Sequence, residues 1–232
     1  MIVSHRYRFI FLKTRKTGGT SVEIGLSRFC SPADIITPVT LQDEQLRASL
    51  GYPGPRNAAI GLRHYETLDW LRLLGKRRRK QYFNHATAEY VRHHIGESIW
   101  NSYFKFCFER NPFDKAVSRY YWSTREPRPS LESYLDDVPV RLLSDWDIYT
   151  INDHLAVDFV GRYENLQEDL ARVAAQLGLP EAPTLPRAKS NYRTSRSHYS
   201  ELLTPRARER IERVCAKEFH AFDYRWETAR PG

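Results

Sequence analysis

The sequence predicts an α/β fold with three α/β/α layers around a central, mostly parallel sheet. Three stretches carry that expectation. Phe9-Ile10-Phe11-Leu12 is a continuous apolar run that suits a strand buried on both faces. It leads through Gly18-Gly19 into an amphipathic stretch with Val22, Leu26 and Phe29 on one helical face. Phe104, Phe106 and Phe108 alternate with Lys105, Cys107 and Glu109 as in a strand; Asn111-Pro112 then open a helix with Phe113, Val117 and Tyr120 on one face. Residues 157–163 read as a third strand. Asn165 with Glu168 forms a capping pattern for a helix bearing Leu166, Leu170, Val173 and Leu177, which Gly178 stops.

At 232 residues the chain can bury a sizeable core, and residues 1–232 read as a single domain with irregular excursions near 31–80, 123–150 and 180–200. A net charge of +8 points to an anionic ligand or partner without choosing among a phosphorylated nucleotide, an acidic glycan and nucleic acid. Cys30, Cys107 and Cys215 are far apart and odd in number, with no CxxC spacing, which favours a reducing compartment. The first strand begins too early to leave room for a signal peptide. No apolar run approaches the roughly 20 residues of a transmembrane helix. Together these point to a cytoplasmic protein.

The other elements follow from local signals. Residues 31–40 form a Pro-punctuated loop, 41–50 a short polar helix, and 51–57 (GYPGPRN) an irregular excursion. Leu68, Leu71 and Leu74 mark a short helix ending in the basic run Lys76-Arg77-Arg78-Arg79-Lys80. That run reads either as a solvated loop or as a contact to an anionic acceptor or membrane surface. It lacks the interleaved aromatics that stack bases, so nucleic acid is disfavoured. Thr87 suits the cap of a helix through Tyr90, Val91 and Ile95, which puts His85 in the loop just before it. Residues 123–149 read as irregular with one short helix near 131–135. Residues 180–199 form another long loop carrying Arg187, Lys189, Arg193 and Arg196, and Thr204-Pro205 opens a last helix with Ile211, Val214, Cys215 and Phe219.

A strand, a glycine turn and a helix N-terminus form an anion cradle. Loop amides point at the anion, the helix dipole favours negative charge, and glycine permits close approach. Lys16 adds a point charge. In the usual triphosphate loop the glycines stand farther apart and Lys-Ser/Thr follows them; here the lysine comes first. The competing reading is a tight Gly-Gly turn with no ligand. Arg110 ends the second strand at the same carboxyl edge, where open α/β sheets bind ligands. Its fork suits a phosphate, or a neighbouring carboxylate. Ser118 lies two turns into the helix that follows.

FIFLKTRKTGGTS resembles the 5′-phosphosulfate loop of sulfotransferases that use 3′-phosphoadenosine 5′-phosphosulfate (PAPS). FCFERNPFDKAVSRYYW resembles their 3′-phosphate segment, and VDFVGRYENLQEDL and HYSELLTPRARERI…FDYRW resemble the carbohydrate O-sulfotransferase branch with its bacterial relatives. The similarity runs from about residue 8 to 226. It implies a P-loop-like α/β/α fold and a PAPS-dependent O-sulfotransferase. Lys16 would meet the bridging oxygen. Thr17, Gly18, Gly19, Thr20 and Ser21 would hold the 5′-phosphate, and Arg110 and Ser118 the 3′-phosphate. Arg15 stands where the commonest loop has Pro; it would add a second cation near the phosphosulfate or face solvent. The resemblance implies no metal. It implies a histidine base between the two motifs, for which His85 is the best positional match, with Glu66, Glu89 and His64 behind it.

The acceptor implied by the family branch is a carbohydrate or glycolipid hydroxyl. The basic loops 76–80 and 187–196 could meet an acidic acceptor or be plain surface. The competing functions are a nucleoside-triphosphate kinase or phosphatase with a degenerate loop, and a non-catalytic glycan- or nucleic-acid-binding module.

Overall fold

The computed structural model describes residues 1–186 and 197–229. The loop cations Arg187, Lys189, Arg193 and Arg196 lie outside the described residues. The chain opens with two short strands where the sequence suggests one. β1 (Ile2–Ser4) and β2 (Phe9–Phe11) form an antiparallel hairpin with Ile2 opposite Phe11. Asp34 holds its turn, accepting hydrogen bonds from Ser4 Oγ at 2.9 Å and the His5 amide at 2.7 Å. There follow α1 (Gly19–Ser27), β3 (Ile35–Ile36), α2 (Leu41–Ser49), α3 (Thr67–Lys76), α4 (Ala88–Ile95), α5 (Glu97–Ser102), β4 (Phe104–Glu109) and α6 (Pro112–Ser123). Then come α7 (Leu131–Asp137), α8 (Trp146–Tyr149), the ribbon β5 (Thr150–Ile151) and β6 (His154–Leu155), and β7 (Phe159–Arg162). The last elements are α9 (Leu166–Gln176), α10 (Tyr199–Leu202), α11 (Pro205–Val214) and α12 (Ala216–Phe222).

The five-stranded sheet has the order β3-β1-β2-β4-β7. β2, β4 and β7 run parallel, and β1 alone is reversed, antiparallel to both its neighbours. The expected three layers follow from alternation along the strands. Phe9, Phe11, Phe106 and Phe108 face Val22 and Leu26 of α1 and Leu170 and Val173 of α9. Ile10, Leu12 and Cys107 face the other way, onto Val91 and Ile95 of α4, Trp100 of α5 and Ile148 and Tyr149 of α8. A third cluster joins Phe113 and Val117 of α6 to Leu135 of α7 and Ile211 of α11.

The expected strand at 104–109 is β4, and its charged residues Lys105 and Glu109 are buried, paired with Asp158 at 2.8 Å and Lys115 at 2.7 Å. Three local expectations need correcting. Asn165 makes no side-chain cap on α9, because a 3-10 turn over Tyr163–Asn165 leads straight into the helix. The last helix is two, broken at Cys215, whose φ of −104° and ψ of 24° are non-helical. Residues 123–149 hold α7, a 3-10 turn and α8, more structure than their Pro and Asp content suggests. Cys30, Cys107 and Cys215 are buried free thiols. Among the described residues, no helix is long and apolar enough to cross a membrane.

Candidate active site at the carboxyl ends of β2 and β4

β2 and β4 are adjacent and parallel, so their carboxyl ends lie side by side. Beyond β2 the chain stays tied to β4: the Leu12 amide donates to the Phe106 carbonyl at 2.9 Å, and the Thr14 hydroxyl to the Phe108 carbonyl. Lys13 is buried against Glu23 of α1 at 2.8 Å. With its base fixed on both sides, the loop turns through two left-handed residues, Lys16 at φ 61° and Gly18 at φ 71°. Such a conformation costs a side-chain-bearing residue on the order of 1–2 kcal/mol, and glycine escapes that cost. A Cβ at 18 would also stand tightly against Leu166, at 3.0 Å from its side chain. Gly18 is the N-cap of α1, which has no side-chain cap bond and no acidic residue in its first turn. Among the described residues no side chain caps this helix N-terminus, whose amides and dipole suit an anion.

The side chains of the loop divide into those turned inward and those at the mouth. Thr17 is fully buried, with its hydroxyl 2.8 Å from Thr14 Oγ1. Gly19, Thr20 and Ser21 form the first turn of α1. The Lys16 ammonium sits 5.2 Å from the centre of the Trp122 ring, at the far end of α6. Arg15 is turned neither to solvent nor to the mouth: its guanidinium bonds Asp145 at 2.6 Å, and its amide donates to the same carboxylate at 2.7 Å.

Asp145 belongs to a buried charge chain. It also accepts from Lys115 at 2.8 Å, Lys115 reaches Glu109 at 2.7 Å, and Glu109 accepts from the Tyr149 hydroxyl at 3.0 Å. One network thus ties the loop to α6, to the end of β4 and to α8. Burial pushes the Glu109 carboxyl up and is opposed by Lys115, whereas Lys115 and Arg15 outweigh burial at Asp145 and hold it down. None of Asp145, Lys115 or Glu109 stands out in the sequence as a site residue. Lys115 and Glu109 lie inside the FCFERNPFDKAVSRYYW stretch, but Asp145 is 130 residues from Arg15 along the chain and has no local signature.

Arg110 directly follows β4 and is buried, with Nε and Nη2 on Asp114 at 2.8 and 2.5 Å and its guanidinium 4.0 Å from the centre of the Tyr163 ring. Its Nη1 donates to the Lys16 carbonyl at 3.0 Å, which joins the second strand end to the loop. Ser118 is half-buried on α6. His85, left-handed at φ 63°, places Nδ1 2.8 Å from the Lys13 carbonyl, at the root of the loop. A carbonyl can only accept, so Nδ1 carries the proton and Nε2 the lone pair. Burial lowers the His85 pKa to about 4 against the opposing pull of Asp145, so the ring is neutral at pH 7. The alternatives sit elsewhere: Glu66 caps α3, Glu89 is exposed in the first turn of α4, and His64 packs against His93 and His94. Among the described residues no cluster of three or more metal-binding side chains occurs.

Fold and site together describe an α/β protein with a glycine turn and a helix N-terminus at the carboxyl edge of its sheet. Residues 144–225 match the family model described as "Sulfotransferase family". The chain is 39% identical over 97 residues to an uncharacterized protein of Archaeoglobus fulgidus, an alignment covering 39% of this chain and 81% of that one. No solved structure matches. Over residues 144–225 the chain is similar to the sulfotransferase family. The matched segment includes Asp145, Tyr149 and Tyr163 and lies after the loop, Arg110 and His85.

Proposed function

We propose that this sulfotransferase uses PAPS as donor and a carbohydrate or glycolipid hydroxyl as acceptor. The observation that carries the donor reading is the Arg110–Lys16 bond: two cationic positions from two strand ends share one edge, as a ligand with two separated phosphates requires. The residues suit such a donor. The glycine turn and the N-terminus of α1 (Thr17, Gly18, Gly19, Thr20, Ser21) take the 5′-phosphate, and Arg110 with Ser118 takes the 3′-phosphate. Arg15 keeps the loop in shape through Asp145. The buried thiols support a reducing, cytoplasmic setting.

PAPS supplies an activated sulfonate, whose bond to the phosphate oxygen breaks as one to the acceptor oxygen forms. Lys16 stabilises the charge left on that phosphate oxygen, after its flexible stem moves its ammonium off the Trp122 face. His85 takes the acceptor's proton at Nε2, with Nδ1–H holding the ring on the Lys13 carbonyl. The Asp145 carboxylate favours the imidazolium that results.

Incubation with sulfur-labelled PAPS and a panel of glycans and glycolipids tests the reading. The expected result is labelled acceptor, with turnover falling about 10²–10⁴-fold in His85→Ala. Transfer of phosphate from ATP, with none of the sulfur label, would replace this function. Near-wild-type turnover in His85→Ala would remove the histidine from the reaction.

A further inference from the structure

Helix α3 turns its apolar side outward. Leu68, Trp70, Leu71 and Leu74 are 63%, 41%, 61% and 77% exposed. At about 100° per residue these four positions form one continuous arc. Asp69, on the opposite side, is buried; it accepts from the Glu66 amide at 3.1 Å and from Lys80 Nζ at 2.8 Å. The helix is therefore anchored by a charge and exposes its leucines, the reverse of an ordinary surface helix. Leu62, in the turn before it, is exposed as well.

The basic run leaves the C-terminus of this helix. Lys76, Arg77, Arg78 and Arg79 are exposed, and the three arginines border a groove with Ala59 and Gln81. Between residues 63 and 80 the cations Arg63, Arg72, Lys76, Arg77, Arg78, Arg79 and Lys80 face only Glu66 and Asp69, and Asp69 is committed to Lys80. Leucines and a tryptophan beside a cluster of arginines match an acyl–headgroup boundary carrying negative charge. A nucleic acid would use the charge and leave the four apolar side chains in water.

We propose that α3 and residues 76–79 form a peripheral docking surface for an anionic lipid bilayer, with the helix lying in the interface. This docking does not depend on the proposed reaction.

The test is co-sedimentation of the full chain with vesicles of phosphatidylcholine mixed with phosphatidylglycerol, against phosphatidylcholine alone. The expected result is binding to the anionic vesicles that weakens as salt is raised. The triple variant Lys76→Gln, Arg78→Gln, Arg79→Gln should bind on the order of 100-fold more weakly. Leu71→Glu with Leu74→Glu should bind at least about tenfold more weakly. Both variants should melt like the parent, because the altered side chains are exposed. Absence of binding to anionic vesicles by the parent protein would overturn the proposal. So would full binding by the leucine variant, which would mark a plain polyanion patch. A halving of the mass seen by light scattering in the leucine variant would also overturn it, because the face would then be covered by a second copy of the chain.

Discussion

The carboxyl ends of β2 and β4 are neighbours in one sheet, yet they present charge by different means. At the end of β2 the proposed contacts are main chain. Lys13, Thr14, Arg15 and Thr17 all turn inward, onto Glu23, the Phe108 carbonyl, Asp145 and Thr14 respectively, and leave the backbone of the glycine turn and of the first turn of α1, where Gly18 is half-buried and Gly19 and Thr20 are buried. At the end of β4 the proposed contact is a side chain, the Arg110 guanidinium, which is buried on Asp114 and the Lys16 carbonyl, while the preceding residue Glu109 is buried on Lys115. A backbone site depends on the buried pairs that hold its shape. A side-chain site depends on the residue itself. Mutations at the first should therefore read out as stability, and those at the mouth as ligand binding or rate.

The largest effect expected is at the anchor. Asp145→Ala leaves Arg15 and Lys115 without their shared carboxylate, and a buried pair broken on one side destabilises by about 3–5 kcal/mol. Denaturant unfolding checks this; a variant within about 0.5 kcal/mol of the parent would mean that the loop holds its shape without the network. Next comes Lys16→Ala, expected to lower kcat by about 10²–10³-fold, the loss typical of one preorganised contact to developing charge. Its melting temperature should stay near that of the parent, which separates the mouth from the anchor.

A smaller effect should appear in the pH dependence of stability through His85, which leans on the backbone side of the comparison. The folded ring takes a proton only near pH 4, whereas the unfolded one does so near its ordinary 6.5. Between those values the unfolded chain binds more protons, so stability falls as pH drops from 6.5 towards 4. This contribution approaches about 3 kcal/mol at the low end. In His85→Asn, which tolerates the left-handed backbone, that part of the slope should vanish. An unchanged slope would place His85 in water.

Much of this was legible in the sequence because it is local. The glycine turn, the Asn111-Pro112 opening of α6 and the Thr87 cap, whose hydroxyl accepts from the Tyr90 amide at 3.2 Å, each follow from residues within one turn of each other. The hairpin partner β1 was hidden because three residues carry too little periodicity to count. The burial of Lys105 and Glu109 was not legible, because their partners, Asp158 and Lys115, arrive from outside the strand. Asp145 was invisible for the same reason at greater distance. The outward leucines of α3 were legible as a helix but not as an exposed face, because the pattern records which side is apolar and not which side meets the body of the protein.

If the two strand ends form one clamp for a nucleotide with two separated phosphates, thermal unfolding with adenosine 3′,5′-bisphosphate, against ATP with magnesium, reveals it. At 100 times its dissociation constant a ligand adds about 2.7 kcal/mol, a rise of about 5–10 °C for a chain of this size. That rise is expected for the bisphosphate alone, and its loss at the same concentration in Arg110→Ala. A rise with ATP and none with the bisphosphate would contradict it.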